Sequence, residues 1–234
     1  MKTKLSYALV TVLAVMAVAF SANDAIRLVW KPKVGSSAEY TVVNVLTTPF
    51  GSKVTHTWTT VKTVEKVVDG MVILKAESTE PKVEADGPTG CPIKLAGPNG
   101  NITFSLSGKY LPADEDRGSM SVRFGNLSAL VFPGDSITEG SEWVHEVKSN
   151  PETGDRAAKS TYKFLGTEKI AKWDTYKIAI DYHETEGDEW DRFAVTGAKW
   201  ISVEDGSLVL EKLTLRAPYG VETLHMAIET KRVE

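Results

Sequence analysis

Four histidines, one cysteine, one dense acidic stretch and one serine set between glycines are the residues of this 234-residue chain whose type and spacing bear on chemistry. His56, His145, His183 and His225 include no pair at helical i, i+4 spacing and have no cysteine partners, the two arrangements a zinc site uses. Asp181, His183, Glu184, Glu186, Asp188 and Glu189 form the densest polar cluster. Calcium needs several such oxygens converging on one point, and the loop spacing Asp-x-Asp-x-Asp-Gly that supplies them is absent. The cluster reads as the solvated tip of a hairpin. Cys91 lies in the Pro- and Gly-rich stretch from Pro81 to Gly100, with no histidine or basic cluster nearby to lower its pKa, so it reads as an unreactive loop thiol. No metal and no cofactor is expected from these residues. Ser136, inside the block Gly134 to Gly140, needs a base to take its proton before it can act as a nucleophile.

The elements that must carry these residues are strands. Tyr40 to Leu46 is rich in β-branched side chains. Along Thr55 to Val68 the side chains alternate, with Val54, His56, Trp58 and Thr60 on one face. Asp69-Gly70 breaks the run and Met71 to Leu74 resumes it, a strong hairpin signal because both turn positions require positive φ. Thr161 to Ile170, Thr175 to Tyr182, Phe193 to Val203, Leu208 to Leu215 and Leu224 to Thr230 repeat the pattern, with a turn expected around Lys172-Trp173-Asp174. Tyr176, Ile178, Ile180 and Tyr182 share one face of their strand. No mature segment of ten or more residues carries helical apolar spacing, though short helical turns fit between Leu111 and Gly125. The expected fold is all-β and antiparallel: curved sheets, a half-barrel or a sandwich. Two halves are expected, 22–112 and 156–234, joined by a connecting segment over 113–155. Val61 to Ala76 and Phe164 to Ile180 each read strand, turn, strand, as related halves would.

Gly134-Asp135-Ser136-Ile137-Thr138-Glu139-Gly140 is similar to the nucleophile block of the GDS-type (SGNH) esterases. That resemblance implies Ser136 as nucleophile, with Ala129 to Phe132 as the strand before it. An Asp-x-x-His pair near the C-terminus would supply the base; Glu222 and His225 have the spacing, with Glu in place of Asp. The surroundings point elsewhere. The family places this block near the start of a doubly wound α/β domain, whereas here the following hundred or so residues read as hairpins. The later Gly-x-Asn-Asp block is missing, and no proline follows His225. The expectation is that the block is a linker and the match accidental, with a Ser136–His225 esterase as the rival reading.

A second resemblance spans more of the chain. Val34-Gly35 leads to Tyr40; Phe132-Pro133 is followed by Gly140-Ser141-Glu142-Trp143; Thr161 to Gly166 precedes the hairpin from Trp200 through Asp205-Gly206 to Val209. In these features the chain resembles a group of exported bacterial β proteins of unknown function. That resemblance implies a fold like the curved sheets of periplasmic lipoprotein carriers and implies no activity.

Export is also legible directly. Lys2 and Lys4 precede an uncharged run from Leu5 to Phe20, and small residues follow at Ala17, Ala19 and Ser21. That order marks residues 1–21 as a signal peptide, and the run is shorter than the ~20 residues of a spanning helix. No cysteine follows for lipid attachment, so the expected product is a periplasmic or extracellular protein with no stable membrane span. A net charge of −4 argues against nucleic acid as a partner. Asn101-Ile102-Thr103 and Asn126-Leu127-Ser128 match the glycosylation pattern. Most of the six tryptophans fall in or beside strands, where packing is their ordinary role. A curved sheet lined by Trp58, Tyr176, Ile180 and Trp200 could instead hold an apolar small molecule. The leading expectation is thus a non-enzymatic binding or structural module; a scaffold acting through a protein partner is the third reading.

Overall fold

The computed structural model describes residues 24–48, 51–86, 95–114, 120–219 and 222–234. The proposed signal peptide and Cys91 lie outside them. Twelve strands form one antiparallel, curved, open sheet. They are β1 (Ser37–Thr47), β2 (Lys53–Val68), β3 (Met71–Ser78), β4 (Lys82–Asp86), β5 (Gly100–Ser105), β6 (Tyr110–Leu111), β7 (Glu142–Val147), β8 (Ala158–Ile170), β9 (Trp173–Glu184), β10 (Ala194–Ser202), β11 (Leu208–Tyr219) and β12 (Glu222–Arg232). The spatial order is β6-β5-β3-β2-β1-β12-β11-β10-β9-β8-β7, with β4 also paired to β2. The chain therefore builds two meanders, and the first strand pairs with the last, Tyr40 opposite Arg232 and Thr47 opposite His225. Among the described residues one α-helix, α1 (Met120–Ser128), and a 3₁₀ turn, Glu189–Asp191, interrupt the strands. Among the described residues no helix is long and apolar enough to cross a membrane.

Local chemistry explains most hairpins. Val68 pairs with Met71 across Asp69-Gly70, at φ 50° and 75°, the two-residue turn whose twist suits right-twisted strands. The second meander turns one residue earlier than expected. Ile170 pairs with Trp173, so Ala171 and Lys172 make the turn, and Ala171 takes φ 51°. Alanine rarely enters that region, which is why the sequence does not mark the position.

The two faces of the sheet differ. Val54, His56, Trp58 and Thr60 of β2, Leu46 of β1, Ile178, Ile180 and Tyr182 of β9, and Leu213 and Leu215 of β11 are all buried on one face, which we call inner. Two covers lie on it. Helix α1 sets Leu127 among Leu46, Val195, Leu213 and Leu215. Residues 129–137, together with Ile26 and Leu28, cover Tyr162, Phe164, Ile178, Ile180 and Ile201. The segment read as a linker between two sheets thus crosses the inner face of a single sheet, where it supplies the core that a sandwich would take from a second sheet. Ile178 is fully buried there. Ile178→Val is expected to cost about 0.5–1.5 kcal/mol, measurable by urea unfolding, because a methyl-sized void opens in a packed layer.

A nine-residue helix has little stability alone, so α1 depends on its anchors. Arg123 donates from Nε to Glu184 Oε1 at 2.8 Å and from Nη2 to Glu184 Oε2 at 2.5 Å. Arg123 also donates to the Asp191 carbonyl at 2.6 Å and lies 4.3 Å from the centroid of the Phe193 ring. Glu184 also accepts the Phe193 N–H at 2.9 Å. The acidic tip expected to be wholly solvated is solvated at Asp181, His183, Glu186, Asp188 and Glu189, but Glu184 is 2 % exposed and clamps the helix. Asn126 is buried as well, donating to Asp155 Oδ1 at 2.6 Å, and so is no accessible glycosylation acceptor.

Candidate functional site

The inner face is not covered everywhere. A cavity of about 490 Å³ remains between the strands and three chain segments, within the size range of small-molecule sites. Its floor comes from alternate residues of the central strands: Ala38 and Tyr40 of β1, Lys62 and Val64 of β2, Leu74 of β3, Lys199 and Ile201 of β10, and Arg232 of β12. One wall is the extended segment Trp30 to Lys33, the second is Ser128, Leu130 and Phe132 after the helix, and the third is the Glu204–Leu208 hairpin tip.

Close backbone contacts hold these walls in place. A Cβ at Gly206, at φ 73°, would overlap the Val29 carbonyl oxygen, so only glycine lets the tip lie this close to the first wall. Lys31 N–H then donates to the Asp205 carbonyl at 2.8 Å. Gly108 does the same for the second wall, where a Cβ would overlap the Leu130 carbonyl oxygen and where Phe132 N–H donates to Ser107 O at 2.8 Å. Aromatic rings close the far end: Trp30 and Phe104 meet edge-on at 6.2 Å between centroids, and Phe104 meets Tyr110 at 5.8 Å.

Three cations stand on the otherwise apolar floor. Lys199 is buried, bonded to Glu211 Oε2 at 2.7 Å, and donates to the Ser128 carbonyl. Thr230 Oγ1 donates to the other carboxylate oxygen of Glu211 at 3.2 Å. Arg232 donates to Ser207 Oγ at 3.0 Å and lies 5.3 Å from the Trp173 ring centroid. Lys62 is half-buried, with Nζ 5.4 Å above the Tyr40 ring, and has no hydrogen-bond or ion-pair partner among the described residues. Burial lowers the Lys62 pKa, Glu211 opposes that shift and Lys199 adds to it. Burial pushes the Tyr40 phenol up to about 12, while Arg232 pulls it down and Asp205 raises it further. Its hydroxyl donates to Leu208 O at 3.2 Å.

The residues singled out in the sequence lie elsewhere. Trp58 is on the inner face but is covered by the segment carrying Gly97, and its Nε1 donates to Thr60 Oγ1 at 3.1 Å. Tyr176 and Ile180 belong to the packed layer under residues 129–137, where Tyr176 meets Phe164 edge-on at 5.7 Å. Trp200 is on the outer face: it pairs with Lys177, not with Tyr176, donates to Glu168 Oε2 at 2.9 Å, and has Lys177 Nζ 4.8 Å from its ring centroid. None of the four lines the cavity. Ser136 is exposed, beside Ile137, which bridges to Ile26 and packs into the inner face. His225 is exposed on β12 between the inward Leu224 and Met226, so its ring points from the outer face, and no hydrogen bond joins it to Ser136. Ala129 to Phe132 is irregular chain after a helix, not the buried strand that the esterase resemblance implied. Among the described residues no three His, Cys, Asp or Glu side chains are grouped to hold a metal.

The cavity residues had a sequence signal that composition alone hides. Lys62 continues the buried series Val54, His56, Trp58 and Thr60, and Lys199 stands on the same face of β10 as the buried Val195 and Ile201. A lysine on the buried register of a strand is costly unless it is paired or faces a ligand.

No family model and no curated protein matches the sequence. Among solved structures, a lipovitellin studied for lipid–protein interactions is similar over 88% of this chain, at 8% identity and a TM-score of 0.48. The match spans 25% of the lipovitellin chain. A Bacteroides fragilis protein described as exported, with a YmcC-like fold, is similar over 89% of this chain and 100% of its own, at 10% identity and a TM-score of 0.37. A DUF1329 family protein from Desulfovibrio piger covers 84% of each chain, at 12% identity and a TM-score of 0.22.

Proposed function

We propose that this protein is an exported, non-enzymatic binding module that holds an apolar small molecule in the cavity on the inner face of its sheet. The observation that carries the reading is the cavity itself. A partly open, largely apolar hollow with a few polar groups on it is the ordinary form of a small-molecule site. Here rings and aliphatic groups from three walls surround about 490 Å³ that the chain does not fill. Export is proposed from the charged start, the uncharged run and the small residues of 1–21.

Native mass spectrometry of the protein purified from its host tests this directly. A mass adduct that survives gentle desolvation, and that disappears on denaturation, is expected. Ala38→Trp fills the floor from a half-buried strand position and should abolish the adduct while the protein still folds. A wild-type protein that carries no adduct, and that also fails to enhance an apolar fluorophore, would end the proposal. Ser136→Ala should leave the adduct unchanged, since the exposed Ser136 is outside the cavity lining.

A further inference from the structure

The charge inside the cavity is opposite to that of the molecule. The whole chain carries −4. The cavity lining holds Lys31, Lys33, Lys62, Lys199 and Arg232 against only Glu204 and Asp205. Two of the floor cations are already engaged, Lys199 by Glu211 at 2.7 Å and Arg232 by Ser207 at 3.0 Å. Lys62 is not: its ammonium stands over the face of Tyr40 and has no carboxylate or carbonyl partner among the described residues. A half-buried ammonium without a bonded counter-ion is less well solvated than one in water, and the downward shift of its pKa expresses that cost. A ligand that brings an anion to this point would relieve it.

We infer that the cavity takes a single-chain amphiphile by its anionic headgroup, a carboxylate or a phosphate, with Lys62 Nζ as the ion partner. The inference rests on the binding reading above and names the ligand class for the same cavity. Polarity within the cavity sets the direction of the ligand. Lys62, Lys199 and Arg232 lie on the sheet floor, while Trp30, Phe104 and Phe132 lie on the walls and at the far end. The headgroup meets the lysine, and the chain runs among the three rings. Lys199 assists by position: because Glu211 neutralises it, it does not compete for the anion, and its bond to the Ser128 carbonyl keeps the second wall in place. Tyr40 closes the lysine from the other side, with its hydroxyl held by Leu208.

The test is calorimetric titration of the full exported chain with four probes of equal length: laurate, lauryl phosphate, lauryl alcohol and laurylamine. Wild type should bind one of the anions about tenfold or more tightly than the alcohol, and the amine least, as a buried charge pair contributes more than a neutral contact. The tighter anion identifies the headgroup. Lys62→Met should reduce the anion to the affinity of the alcohol and leave the alcohol within about twofold, whereas Lys62→Arg should keep the preference. Thermal unfolding of each variant checks that it is folded. Equal binding of alcohol, amine and anions overturns this inference and leaves the binding module standing. An anion preference that survives in folded Lys62→Met overturns the role of Lys62. Failure of all four probes to bind overturns this inference, and the adduct and fluorophore measurements above then decide the binding reading.

Discussion

Replacing Arg123 with alanine is expected to lower the unfolding free energy by about 3–5 kcal/mol, read as a shift of the urea midpoint. The side chains of Arg123 and Glu184 are 8% and 0% exposed, and their two hydrogen bonds form a planar fork. Removing the guanidinium leaves a carboxylate with no access to water and with only the Phe193 N–H to stabilise it. It also leaves the Asp191 carbonyl with only the Arg156 donor at 3.0 Å and strips the cover from the Phe193 ring. Arg156 still pairs with Asp191 at 2.6 Å, so the tip itself should persist. The helix should not: α1 is too short to stand without this anchor. The double variant Arg123→Met/Glu184→Met separates two explanations. Where the loss comes from an uncompensated charge, the double variant should recover most of the stability and lack only about 1–3 kcal/mol for the orphaned Phe193 N–H. A double variant as unstable as the single one would show that the helix contact, not the charge, is what matters.

Lys199→Met should produce the second large loss, about 3 kcal/mol, by the same physics at the floor of the cavity. Lys199 and Glu211 side chains are 5% and 11% exposed and 2.7 Å apart. Without the lysine, Glu211 keeps only the Thr230 hydroxyl, and the Ser128 carbonyl loses its donor. The expected loss lies at the low end of the range because Lys62 already interacts electrostatically with Glu211 and can turn toward it. That compensation has a consequence for binding: a Lys62 neutralised by Glu211 is no longer available to an anionic ligand. Lys199→Met should therefore weaken the laurate or lauryl phosphate preference as well as stability. Unfolding and titration of the same protein sample measure both. A variant that loses stability but keeps the full anion preference would show that Lys62 does not respond to Glu211.

Much of the fold was legible because β structure writes its short-range rules into the sequence. The alternation Val54, His56, Trp58 and Thr60 correctly gave the buried face of β2, and Asp69-Gly70 gave its turn. The alternation along Tyr176 to Tyr182 likewise separated the inner face of β9 from Asp181 outside. Two features were not legible. Register shifts at Val64/Lys66, Phe164/Thr167 and Trp200/Ile201 insert bulges that change which residues face inward. A bulge costs little locally and leaves no compulsory residue type, so a period-two reading runs straight through it. Trp200 was misplaced for a different reason: the alternation Val195, Lys199, Ile201 along β10 puts it on the outer face, where it is buried against Lys177 and Glu168, and its size alone suggested the inner one. The other feature is the cover. Gly134 to Gly140 reads as a linker and Ala129 to Phe132 as a short apolar run, and only the packing of residues 129–137 on β8, β9 and β10 shows that they cover the sheet.

The sequence by itself determined the antiparallel β class, most of the hairpins and the signal-like pattern of its start, because each depends on residues a few positions apart. Tertiary structure alone decided that the two meanders join into one sheet through β1 and β12, across nearly the whole length of the chain. It also decided that α1 and the segment after it cover part of one face and leave a cavity, and that Lys62 stands in that cavity with no partner among the described residues. Contacts of that span are selected by complementary buried surfaces and by the cost of burying charge, and neither quantity belongs to any short stretch of the chain.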